Sequence, residues 1–139
     1  MFSFGDLKWL RDCYNWARPS QVEKVFIMLV CKNNSTGEVG TYSLKIDNFQ
    51  ALDALVNSFW NHPDYAVYTD EKIKMDKIHY DQSKKYAKVG SDFELSFLKQ
   101  FPNLGASLYK ATDDLTNWTK LELDPNPLSS NPIKNTPCN

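Results

Sequence analysis

Residues 22–46 constrain this chain more than any other stretch. An unbroken apolar run, Val25-Phe26-Ile27-Met28-Leu29-Val30-Cys31, meets the turn-forming cluster Asn33-Asn34-Ser35-Thr36-Gly37, and the following segment alternates in Tyr42, Leu44 and Ile46. Such a pattern predicts a β-hairpin. A strand apolar at every position has no polar face to offer water, so the first strand is expected in the middle of a sheet, covered on both sides. In that position Leu29→Ala would cost about 2–5 kcal/mol.

Three helices announce their starts around the hairpin. Ser3-Phe4-Gly5-Asp6 has capping-box spacing, and Leu7, Leu10, Tyr14 and Ala17 follow at helical intervals until Pro19. Asp47 or Asn48 caps a second helix, whose stripe of Phe49, Leu52, Leu55, Val56 and Phe59 ends before Pro63. Ser91-Asp92-Phe93-Glu94 is another capping box, opening a third helix with Phe93, Phe97, Leu98 and Phe101 on one face and Pro102 behind it.

Between the second and third helices the period turns to two, in Tyr65, Val67 and Thr69, then Ile73 and Met75, then Ile78 and Tyr80. With a turn at Asp70-Glu71 this predicts a second hairpin, a poor lysine-rich helix being the alternative. A third hairpin is expected over 106–112 and 117–123 around Asp113-Asp114, with Leu108 opposite Leu121 or Leu123. Pro125, Pro127, Pro132 and Pro137 make the remainder unfit for a helix or a central strand. The predicted fold is therefore α+β. It is a single domain over residues 1–124, with a mostly antiparallel sheet of about six strands in hairpins, three helices packed on it and an extended tail over 125–139.

With 42% apolar and 14% aromatic residues in 139, the chain is too apolar for disorder and of a size for one domain. Its formal net charge of −1, with both signs mixed along the chain, disfavours nucleic acid and anionic membrane as partners. The longest apolar run, 25–31, is far short of the ~20 residues a spanning helix needs. Met1-Phe2-Ser3-Phe4-Gly5-Asp6 lacks the basic and apolar parts of a secretory signal, and the cysteines at 13, 31 and 138 are odd in number and far apart. Reduced thiols and a cytoplasmic location are the expectation. The sequons at Asn34 and Asn117 then carry no glycan.

No residue set carries a chemical signature. Zinc sites usually contain a close ligand pair, yet His62 and His79 are far apart and no cysteine has a neighbour, so no metal or cofactor is expected. There is no nucleophile elbow and no phosphate-cradling glycine loop, which favours a non-catalytic role while leaving an enzyme open. His62-Pro63-Asp64 also marks the loop of J-domain co-chaperones. There a basic helix precedes it, whereas the helix before it here has no Lys or Arg, and a helix C-terminus explains it better. Lys72, Lys74, Lys77, Lys84, Lys85 and Lys88 interleave with Tyr80 and Tyr86, as in single-strand binders. Asp70, Glu71, Asp76 and Asp81 share that window, and a solvated edge kept apart by lysines is the simpler reading.

Aromatic residues are the remaining signal. Trp9 and Trp16 lie on one side of the first helix and Leu7, Leu10 and Tyr14 on another, a wider apolar arc than a core face needs. Trp9, Trp16, Trp60 and Trp118 are therefore candidate partner-binding residues, since tryptophan anchors many protein interfaces. The expected function is a small protein-binding module, of inhibitor, immunity-type or accessory kind, whose partner is another protein or a second copy in a homodimer. The alternative is a small-ligand-binding or hydrolytic domain with a pocket lined by Tyr42, Tyr65, Tyr68 and Tyr80.

Overall fold

Capping explains where the helices begin. In the computed structural model, which describes residues 1–33, 36–88, 92–126 and 128–138 (86–88 as backbone only), α1 spans Phe4–Trp16. The Ser3 hydroxyl accepts from the Asp6 N–H while the Asp6 carboxylate accepts from the Ser3 N–H, a complete capping box. Asn48 caps α2, Phe49–Trp60, through the Ala51 N–H, and Asp92 caps α4, Phe93–Gln100, through the Leu95 N–H. The expected Ser91 cap lies outside the described residues.

Five strands form one antiparallel sheet in the order β1-β2-β3-β4-β5: Phe26–Lys32, Val39–Ile46, Ala106–Ala111, Trp118–Leu123 and Ile133–Pro137. The fold is α+β, as expected, with one strand fewer and one α-helix more than predicted. The chain leaves the sheet after β2, runs through α2, α3 and α4, and returns as β3 beside β2. Ile27, Leu44, Leu108 and Leu121 meet in register across β1 to β4 on the face that carries the core. Phe4, Leu7, Leu10, Leu52, Val56, Ile78 and Phe97 from the four helices are buried with them.

Three expectations are revised or extended. The second hairpin is instead α3, Glu71–Lys88, started by the Asp70 carboxylate on the Ile73 N–H, so the presumed turn is a helix cap. Met75, Ile78, His79 and Gln82 form its inward stripe, and Gln82 is as buried as a core leucine because its carbonyl oxygen accepts from the Phe4 N–H. A polar residue at an apolar position hid the helical period. Within the extended terminal segment, Ile133–Pro137 pairs with β4 as the far edge of the sheet, where Ile133 is buried beside Leu123.

The third revision concerns β1, which is an edge strand. Its odd positions, Ile27, Leu29 and Cys31, are half-buried toward the core, and its even positions are exposed. Leu29→Ala is accordingly expected to cost about 1–2 kcal/mol in urea denaturation of dilute protein, less than the central-strand figure. A loss above about 3 kcal/mol would show that the open side of β1 is enclosed after all.

Candidate functional site

The four described α-helices cover one face of the sheet, and among the described residues nothing forms a layer over the opposite face. Along β1 that open face presents Phe26, Met28 and Val30, which expose 54%, 50% and 65% of their surfaces, with Val39 of β2 beside Lys32. Farther across, the same face turns polar through Lys45, Lys120, Glu122 and Lys134. The exposed apolar surface is thus concentrated at the β1 end.

The backbone of β1 is open as well. The Asn33 N–H donates to the Glu38 carbonyl at 2.8 Å, which makes these two a hydrogen-bonded pair at the hairpin end. Antiparallel ladders alternate, so Cys31, Leu29 and Ile27 also bond to β2, and Phe26, Met28, Val30 and Lys32 point their N–H and C=O groups at the free edge. The other edge is defended differently. Strand β5 carries Lys134, ends at Pro137 and follows Pro132, all features that discourage strand addition, whereas β1 has no charge before Lys32.

A second exposed apolar feature sits on α1. Trp9 and Trp16 lie two turns apart, on the opposite side of the helix from Leu7 and Leu10, with their rings edge to face at 5.5 Å. They expose 55% and 69% of their surfaces. The other two tryptophans are placed differently. Trp60 is half-buried, stacked 6.5 Å from Phe4 with the Lys74 ammonium 4.5 Å over its ring. Trp118 is half-buried on β4 at an outward register position, and its carbonyl accepts from the Cys138 N–H.

The four candidate pocket tyrosines do not converge. Tyr80 is exposed on α3 with Lys84 4.2 Å from its ring, and Tyr68 follows the short 3-10 turn Pro63–Tyr65. The Tyr65 hydroxyl donates to Asp81 on α3 at 3.1 Å; burial and that carboxylate raise its pKa. Of the four, Tyr42 lines a cleft of about 550 Å³ between the β1–β2 turn and the start of α4. There the Tyr42 hydroxyl and the Lys110 ammonium both reach Glu94 Oε1 at 2.7 Å. Burial, and then the neighbouring carboxylate, push the Tyr42 phenol far above its ordinary range.

Cys31, Asn33, Thr36, Glu38, Asp92 and Asp113 complete the polar lining, and among the described residues no histidine reaches it. Glu94 was legible only as a capping residue, because its two partners come from β2 and β3, 52 and 16 positions away. Among the described residues no group of His, Cys, Asp or Glu is arranged to hold a metal ion, and no helix is long and apolar enough to cross a membrane. Comparison with protein-family models, curated proteins and solved structures found no match.

Proposed function

We propose that this protein is a protein-binding module, of inhibitor, immunity-type or accessory kind, that docks a partner protein through an exposed aromatic surface. The observation that carries this reading is the Trp9–Trp16 pair. Two of the largest apolar side chains lie together on the side of α1 turned away from its core residues. Tryptophan gives a large contact area for few rotatable bonds and keeps an N–H for specificity, which is why it dominates interface energetics. Leaving both rings in water serves no folding purpose, since Leu7, Leu10 and Phe4 already fill the core side of the same helix.

The test is a double substitution, Trp9→Ser with Trp16→Ser, in a tagged chain expressed in its native cells. The wild-type chain is expected to isolate with one companion protein at fixed stoichiometry, and the variant to lose it while melting within a few degrees of wild type. A variant that keeps the companion, or one that unfolds because the rings are structural, would refute the reading.

A further inference from the structure

We infer that the open edge of β1 is a self-association site, at which a second copy of this chain pairs its own β1 antiparallel to the first and joins the two sheets. This inference rests on β1 alone, not on the Trp9–Trp16 surface. A two-fold axis through Leu29 pairs the strand with its own copy and keeps its two faces apart. In an antiparallel pair centred on Leu29, Met28 lies opposite Val30 of the second copy, and Phe26 opposite Lys32 of the second copy. Every residue then faces one of its own parity, so the exposed stripe stays on one face of the joined sheet and the half-buried Ile27, Leu29 and Cys31 on the other. The hydrogen bonds match too. The even positions, whose N–H and C=O groups point outward, meet even positions of the second copy, and each pair exchanges both bonds. Such an interface is isologous and closes on itself, so it stops at two copies.

Two further observations favour a second copy over a foreign strand. Lys32, the one charge of the strand, falls over the Phe26 ring of the second copy, where a cation is attracted to the aromatic face. The net charge of −1 produces no long-range repulsion between copies.

The closing experiment measures solution mass by light scattering from micromolar to millimolar concentration. Wild-type protein is expected to rise from 16.0 kDa to twice that value. Met28→Pro removes an N–H that bonds to nothing within the sheet, so it should abolish the rise while leaving the circular dichroism and melting temperature nearly unchanged. The register is read separately in a background with Cys13, Cys31 and Cys138 changed to Ser. There Leu29→Cys should cross-link to its own copy under mild oxidation, because the axial pair brings Cα atoms to about 4.5 Å, within disulfide range. Ile27→Cys in the same background should not. A wild-type monomer throughout, a Met28→Pro protein that still dimerises, or equal cross-linking at both positions would overturn the inference. So would a wild-type monomer that takes up a foreign strand instead. The Trp9→Ser, Trp16→Ser protein should dimerise as wild type does, which keeps this result distinct from that of the partner-binding test.

Discussion

Leu44→Ala is expected to destabilise the protein by about 3–5 kcal/mol, at the upper end of what single core truncations cost. Leu44 has no exposed surface and sits in register between Ile27 and Leu108, where the sheet meets the helices. Removing three carbons there forfeits transfer free energy and leaves a void that neither side can fill. Strands β1 and β3 are tied to β2 by their ladders, and the helices are held by Phe4, Leu52 and Ile78. Urea denaturation followed by circular dichroism reads the loss directly. A loss below about 1 kcal/mol would mean that the helices do not close over the middle of the sheet.

Gly105→Ala should cost roughly 3 kcal/mol or more, from two additive causes. Gly105 has φ +72°, in the left-handed region, where a Cβ adds about 1–2 kcal/mol. It also lies against the start of α2. A Cβ there would come 2.6 Å from the Leu52 nitrogen and closer still to the Asn48 carbonyl oxygen, both backbone atoms that cannot swing aside. Forcing a packed junction apart adds about 1–3 kcal/mol. The same carbonyl of Gly105 accepts from the Asp47 and Asn48 N–H groups, and Asp47 accepts from the Ser107 hydroxyl, so the junction of β2, α2 and β3 would move as a unit. Gly37, also left-handed at φ +79° but with open space around it, is the internal comparison for backbone strain alone. Thermal melting of the Gly105→Ala protein checks the prediction, and a melting temperature within a degree or two of wild type would sink it.

Local signals were readable where one residue answers to its chain neighbours. Ser3 with Asp6, and Asn48 before Phe49, mark helix starts because a cap acts over three residues. The β1–β2 and β3–β4 hairpins, including Leu108 opposite Leu121, follow from alternation and turn residues. The helix α3 was readable only as the alternative to a hairpin, because His79 and Gln82 occupy its inward stripe as hydrogen-bond acceptors for the start of α1, 74 and 78 positions away. Pairing of Ile133–Pro137 with β4 was likewise a choice made by an available edge and by the Leu123–Ile133 contact, neither of which a proline-rich segment advertises.

The candidate surfaces divide in the same way. The wide apolar arc of α1 pointed to Trp9 and Trp16 from helical spacing alone, and their exposure is a matter of which side the core occupies. The apolar run of β1 was equally visible, yet hydrophobicity on both faces of a strand says only that both faces avoid water. It does not say whether a layer of the same chain or another molecule covers them.

The sequence by itself thus determined the α+β class, the caps of α1 and α2 and two of the hairpins, because each depends on interactions within a few residues. Only the tertiary structure decided that all four helices lie on one side of the sheet and that β1 is left at its edge. Those features depend on how distant segments compete for the same apolar surface. Once Leu44, Leu108 and Leu121 had taken the helices as cover, nothing in the described chain remained to cover Phe26, Met28 and Val30.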